Sequence, residues 1–154
     1  MDNKELILNF IRKHKLCVLA TQCKGMPQAA VVEFGENESL ELIFDTFSNS
    51  RKVRNIRRNP NVALVIGWDE NITVQYEGKA TKLNGKELEL YKKVYFAKNP
   101  EAKKWDKQKG VIYFKVEPRW IRYSNLNSRP WKVLEINEFK QQDKAHVQKL
   151  GKAY

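Results

Sequence analysis

The pattern of apolar and polar positions along this chain predicts strands that alternate with a few helices. Helical spacing of apolar residues is found in segments 2–14, 49–58 and 85–97. The last two of these segments are each followed within two residues by an Asn-Pro pair, which is typical of a helix end. Strand-like runs occupy much of the remaining chain, at 16–21, 27–34, 40–46, 62–66, 72–83 and 111–123.

These elements predict a fold that is mainly β, of the α+β class. Segments 27–34 and 40–46 are separated by the short polar stretch GENES, which predicts a hairpin. Because a parallel sheet needs regular alternation of strands and helices, six short strands with hairpins favour an antiparallel β-barrel with peripheral helices. Gly78 predicts a bulge or bend in its strand, and Pro118 predicts a bend or a sheet edge.

Composition fits a single domain, residues 1–137, followed by a polar, lysine-rich tail at 138–154. The chain has 154 residues, of which 42% are hydrophobic, and this is enough for a substantial core. Cys17 and Cys23 are too few for a disulfide scaffold, so we expect reduced thiols. Since no apolar run resembles a membrane span or a signal peptide, we expect a soluble cytoplasmic protein without a membrane partner.

The residues present disfavour several common kinds of site. Neither a G-x-G-x-x-G nor a G-x-x-x-x-G-K-[ST] motif occurs, so classical dinucleotide and P-loop binding are unsupported. The histidines, His14 and His146, lie in a terminal helix and in the polar tail, which disfavours a metal site or a hydrolytic triad. We predict no metal, and no side chain stands out as a general acid or base. The net charge of +11 favours an anionic partner.

One segment gathers the groups that hold an anion. A strand ends at Thr46, and Ser50, Arg51 and Lys52 then open a basic helix. Backbone N–H groups at a helix start, a hydroxyl, an ammonium and a guanidinium are together suited to a phosphate. An ordinary capped amphipathic helix with solvated arginines is the other interpretation of the same residues.

The order of motifs around this segment resembles that of a known protein family. LCVLAT, PQAAVVEF, a strand that ends in Asp-Thr, SRKVRNIRRNPNVAL and VQYEGKA follow one another along the chain. This order resembles the pyridoxamine 5′-phosphate oxidase-like flavoproteins, which share the FMN-binding split-barrel fold, over about residues 1–125. Within that family the chain is most similar to the short members of the general stress protein type.

The resemblance implies a set of FMN-binding residues. The phosphate would be held at the strand–helix junction by Thr46, Ser50, Arg51 and Lys52. The strand that follows Pro27 would line the isoalloxazine ring through backbone and apolar contacts, at Ala30, Val31 and Val32. Gln75 would approach the polar edge of the ring.

The resemblance also implies a homodimer with two flavin sites, each built from both subunits. Trp131 would then cover the flavin of the partner subunit, although a surface loop anchored by one aromatic residue is the other interpretation. True pyridoxamine phosphate oxidases are longer and carry a C-terminal segment with arginine and histidine for the substrate. This chain shows no such segment, so we expect an FMN-dependent oxidoreductase with another, unknown small substrate.

Two alternatives from other classes stay open at the level of the sequence. One is a sensor or carrier that binds FMN, a deazaflavin or haem without turnover. The other is a nucleic-acid-binding barrel that uses the basic helix and exposed aromatic residues. The second is less favoured, because the lysines are spread over the chain instead of following one groove.

Overall fold

Eight strands of one antiparallel sheet dominate the computed structural model, which describes residues 1–139. The strands are β1 (Leu16–Cys23), β2 (Met26–Glu33), β3 (Gly35–Glu36), β4 (Leu42–Phe47), β5 (Asn61–Ile66), β6 (Ile72–Lys82), β7 (Val111–Asn125) and β8 (Lys132–Ile136). The helices are α1 (Asn3–Arg12), α2 (Arg51–Arg58), α3 (Gly85–Lys98) and α4 (Lys103–Asp106). None of these helices is long and apolar enough to cross a membrane. Most of the predicted tail, from residue 140 onward, lies outside the described residues.

The strand order across the sheet is β2-β1-β5-β6-β7-β4-β3, and β8 pairs with the second half of β7. All seven strand pairs are antiparallel. The sheet curls into a half-barrel with the helices at its periphery, so the predicted α+β class and the split barrel are confirmed.

Two details of the predicted sheet are wrong. The count is eight strands instead of six, because β3 has only two residues and β8 (KVLEI) lacks a strict alternation of apolar and polar residues. The hairpin between the second and third predicted strands does not form. Gly35–Glu36 pairs with β4 in its place, whereas β2 pairs with β1 at the opposite end of the sheet.

A bulge in β6 bends the centre of the sheet, as predicted at Gly78. The register between β6 and β7 shifts between Glu77 and Gly78, and Gly78 lies opposite Pro118. A Cβ atom at position 78 would collide with the carbonyl oxygen of Glu117, so only glycine fits here. Pro118 falls between the part of β7 that pairs with β4 and the part that pairs with β8. Its missing N–H therefore costs no ladder hydrogen bond on that side.

The main core fills the inside of the curled sheet and is closed by α1. Its largest fully buried members include Tyr76, Phe34 and Phe44. The Tyr76 hydroxyl lies 2.9 Å from the carbonyl oxygen of Leu40 and 3.0 Å from that of Val116, which satisfies this buried polar group. A second apolar cluster lies between α3 and the sheet. Both cysteines are free thiols.

A buried ion pair joins α3 to the rest of the fold. Lys98 pairs with Glu36 of β3, and their side chains are only 13% and 8% exposed. Burial lowers the pKa of Lys98 below the usual lysine value, although the hydrogen bond to Glu36 opposes this shift. The Lys98 ammonium also donates to the carbonyl oxygen of Ile11 at 3.3 Å and lies 4.0 Å from the centre of the Phe34 ring. One cation thus connects α1, β3 and α3.

Removing only the cation of this pair should destabilise the protein strongly. Lys98→Met leaves the buried Glu36 carboxylate without a partner, which should reduce the free energy of unfolding by about 3 kcal/mol. The double variant Lys98→Met/Glu36→Leu removes both charges and should recover part of that loss. Chemical denaturation of the variants measures these free energies. A double variant whose loss equals the sum of the two single losses would contradict the account of the pair.

Candidate functional site

The junction between β4 and α2 brings three of the predicted phosphate-binding side chains together. Thr46 lies near the end of β4, and Ser50 is the residue immediately before α2. The Oγ1 atom of Thr46 lies 3.3 Å from the Oγ atom of Ser50 and 3.3 Å from the Nζ atom of Lys52. Two hydroxyls and an ammonium therefore converge on one small region.

The N-terminus of α2 leaves its first N–H groups available to a ligand. Ser50 has the extended conformation of a capping residue, but its side chain makes no capping hydrogen bond. The first turn of α2 also contains no acidic residue. Because unpaired N–H groups and the helix dipole favour an anion at this end, a phosphate fits the position that a cap would otherwise occupy.

Arg51 is the exposed member of the set. It opens α2, and within residues 1–139 its side chain has no hydrogen bond and no ion pair. An exposed guanidinium without an acidic neighbour presents several donors to a ligand in a planar fork that matches phosphate oxygens. The apolar face of α2, Val53 and Ile56, is meanwhile buried in the main core.

The carboxylate next to Thr46 is turned away from this cluster. Alternation along β4 places the side chains of Asp45 and Thr46 on opposite faces. Asp45 accepts a hydrogen bond of 2.9 Å from the Tyr95 hydroxyl of α3. Burial raises the pKa of Asp45 above the usual aspartate value, and the bond from Tyr95 partly opposes this shift. The junction therefore stays cationic despite its Asp-Thr sequence.

The predicted ring-binding residues of β2 fall on both faces of the sheet. Ala30 pairs with Leu19 and Val32 with Cys17, and these two side chains point toward the core. Val31 points outward and is 60% exposed. Val32 is buried, so it can offer a ligand only its backbone.

Val31 belongs to a row that crosses four strands on the outer face of the sheet. Val31 pairs with Val18, Val18 with Val65, and Val65 with Gln75. At a spacing of ~4.8 Å between strands, the row is about 14 Å long. Gln75 is exposed, and there the row turns polar, because Gln75 pairs with Arg122 of β7 and Arg122 with Glu135 of β8.

Trp131 lies far from the β4–α2 junction of its own chain. Thr46 pairs with Ile112 near the start of β7, whereas Lys132 pairs with Asn125 at its end. At ~3.3 Å per residue, the part of β7 between these partners is about 40 Å long. Trp131 is 57% exposed, and its ring centre lies 5.2 Å from the guanidinium of Arg129. The structure therefore does not bring Trp131 to the junction within a single chain.

One polar contact near the site could not be found from the sequence. The Nδ2 atom of Asn55 in α2 donates to the Oγ1 atom of Thr21 at 3.0 Å and to the Oε1 atom of Gln28 at 2.9 Å. These partners are far away in the sequence, and nothing in the local pattern pairs them with a helix. The only available signal is that an amide falls between Val53 and Ile56, the two apolar anchors of α2.

No group of three or more potential metal-ligating side chains occurs in the part of the chain that the structure describes. The chemistry of the β4–α2 junction is that of anion binding: it offers hydrogen-bond donors and positive charge.

The model of the pyridoxamine 5′-phosphate oxidase family matches residues 4–125, most of the chain. The chain belongs to this family. General stress protein 26 of Bacillus subtilis (strain 168) is 29% identical over 142 residues, which cover 88% of this chain and 97% of that protein. Pyridoxine/pyridoxamine 5′-phosphate oxidase of Ehrlichia ruminantium (strain Welgevonden) is 33% identical over 90 residues, which cover 57% of this chain and 46% of that enzyme.

Solved structures confirm the fold of this family member. A pyridoxamine 5′-phosphate oxidase-related, FMN-binding protein of Nostoc punctiforme has a TM-score of 0.68 at 13% identity, with 93% of this chain and 94% of that chain covered. A haem-binding protein of Mycobacterium smegmatis has a TM-score of 0.73 at 16% identity, with 87% and 58% covered. At these identities the likeness shows a shared fold alone.

The environment of Asp45 predicts a pH-dependent effect of its replacement. Because burial raises the folded-state pKa of this carboxyl, its ionisation costs stability as the pH rises through that pKa. Asp45→Asn keeps an acceptor for Tyr95 and cannot ionise. The variant should match the wild type in acid and be the more stable of the two at neutral pH. Denaturation curves over a pH series measure this difference, and equal stabilities at pH 7 would contradict the assignment.

Proposed function

We propose that this family member is a small dimeric oxidoreductase that binds FMN. The observation that carries the proposal is the uncapped N-terminus of α2, where two hydroxyls and an ammonium converge beside an unpaired guanidinium. This donor set suits the dianionic phosphate that distinguishes FMN from riboflavin. Membership of the family and the likeness to an FMN-binding fold support the same ligand.

Several residues of the junction would contact the phosphate at once. Arg51 would hold two of its oxygens in a forked contact, and Lys52 would add a point charge fixed by its bond to Thr46. Ser50 and Thr46 would each donate a hydrogen bond from the hydroxyl to a phosphate oxygen. The first backbone N–H groups of α2 would donate further hydrogen bonds to the phosphate. Asp45 accepts a hydrogen bond from Tyr95 on the opposite face of β4, so its negative charge lies away from the phosphate.

The outer row of β2, β1, β5 and β6 offers a surface for the isoalloxazine ring. Val31, Val18 and Val65 form an apolar strip, and Gln75 at its end would reach the polar edge of the ring. Ala30 and Val32 would contribute through their backbone. The bound flavin supplies hydride or electron transfer at its ring nitrogen, while the protein positions it and neutralises its phosphate.

The position of Trp131 supports a homodimer. Its ring is exposed and lies about 40 Å along β7 from the junction of its own chain, so a second copy would bring it to a flavin whose phosphate is held at that junction. Val31 and Trp68 are also highly exposed, which leaves apolar surface that a second copy would cover. The likeness to the Ehrlichia oxidase covers less than half of that enzyme and does not carry its substrate to this chain, so the proposed substrate is a small molecule of another kind.

Replacing Arg51 should weaken FMN binding. Arg51→Ala removes a charge-assisted contact to the phosphate, and the dissociation constant should rise ~10–100-fold. Flavin fluorescence quenching on titration measures this constant.

Arg57→Ala is the matched control, because Arg57 is exposed on the same helix and carries the same charge. It should change the dissociation constant less than ~3-fold, since a solvated charge one and a half turns away makes no contact. Equal losses in the two variants would show that only the overall charge matters, and full affinity in Arg51→Ala would overturn the phosphate assignment.

Sites shared between two subunits predict complementation. Arg51→Ala and Trp131→Ala should each weaken FMN binding in a homodimer of one variant. Co-expression of the two with different tags yields a mixed dimer in which one site carries both changes and the other carries neither. That dimer should regain wild-type affinity at half of its sites. A mixed dimer with no restored site, or a monomer by light scattering, would contradict the shared site.

A further inference from the structure

The amide of Asn55 ties the helix of the site to the two strands beside it. Asn55 is 4% exposed, and its Nδ2 atom bonds Thr21 of β1 at 3.0 Å and Gln28 of β2 at 2.9 Å. Thr21 and Gln28 are themselves register partners in the sheet. Both protons of the amide nitrogen are thereby used, one on each strand.

This contact differs in kind from the other buried contacts of α2. The helix has eight residues, and Val53 and Ile56 are its buried apolar anchors. Apolar packing is not directional, so two anchors three residues apart leave a short helix some freedom to rotate and slide. Two hydrogen bonds at fixed angles remove that freedom, because any rotation leaves a buried amide unsatisfied.

The hydrogen bonds of Asn55 also restrain the position of Arg51 on the same helix. Residues four apart lie on nearly the same face of a helix, one turn from each other. Asn55 is bonded to β1 and β2, so holding it in place also restrains the backbone of Arg51, one turn earlier on the same helix. The strand that Gln28 belongs to is also the strand of Ala30, two residues further along on the same face.

From this geometry we propose that Asn55 is a positioning residue. It sets the distance between the phosphate-binding residues of the β4–α2 junction and the ring-binding strand β2. The proposal rests on the proposed function, because it concerns how one ligand spans both parts of the same site. Asn55 would contact neither part of the flavin, because its side chain is buried and bonded to Thr21 and Gln28. It acts by holding α2, and with it Arg51, at one azimuth relative to β2.

A ligand with two recognition groups shows such a role directly. FMN carries a ring and a phosphate, whereas riboflavin carries the same ring without the phosphate. When both subsites are held at the correct separation, the phosphate adds its full contribution to the affinity. When the separation varies, ring binding persists but the phosphate no longer adds as much. The ratio of the riboflavin and FMN dissociation constants therefore measures the positioning.

The test replaces Asn55 by leucine, which has a similar size and no amide. In Asn55→Leu the ratio of the two dissociation constants should fall ~10-fold, while riboflavin affinity itself changes less than ~2-fold. Fluorescence titration with each flavin gives both constants. A general loss of structure would weaken both flavins together and leave the ratio unchanged.

Asn99→Leu is the matched control. Asn99 is also 4% exposed, but it lies after α3 and donates to the carbonyl oxygens of Phe34 and Tyr95. Its replacement removes a buried amide away from the junction and should keep the wild-type ratio. If Asn55→Leu does not fold, Thr21→Val removes one of the two acceptors with little change of shape and should lower the ratio ~3-fold.

The outcomes separate this proposal from the proposed function. A wild-type protein that binds both flavins, with a ratio that Asn55→Leu or Thr21→Val leaves unchanged, overturns the role of Asn55 alone. A ratio that falls equally in Asn99→Leu overturns it as well. A wild-type protein that binds neither flavin overturns the proposed function, and the positioning role falls with it.

Discussion

The long pairing of β6 with β7 determines how the other elements are arranged. It joins the β2-β1-β5 side of the sheet to the β4-β3 side. The bulge at Gly78 bends the sheet where these two sides meet. In sheet order β1 and β4 are separated by three strands, yet α2 is bonded to both of them, through Lys52 to Thr46 of β4 and through Asn55 to Thr21 of β1. Only a curled sheet allows one short helix to reach both strands.

The site inherits its electrostatics from the same arrangement. The sharp passage from β4 into α2 leaves the helix start without a cap and places hydroxyls and cations around it. Strand alternation sends Asp45 to Tyr95 on the other face, where burial makes its ionisation costly. The partly buried carboxylate thus lies on the face opposite Thr46, and the junction itself presents groups that favour an anion.

Local chemistry explains what could be predicted from the sequence. The basic helix start after an Asp-Thr strand end, the bulge at Gly78 and the antiparallel class all depend on neighbouring residues, and each is visible in the printed chain. β3 is too short to show a period, β8 does not alternate strictly, and the pairing of β4 with β7 is long-range. The bonds from Asn55 to Thr21 and Gln28 exist only once the sheet has curled, so no local pattern contains them.

In the proposed function, the β4–α2 junction holds the phosphate of FMN. The most direct measurement is the visible spectrum of the purified full chain after incubation with FMN and desalting, with mass spectrometry of the ligand released by denaturation. If the junction holds FMN, we expect a flavin spectrum and a released ligand with the mass of FMN. A colourless protein, or a released flavin that lacks the phosphate, would contradict it.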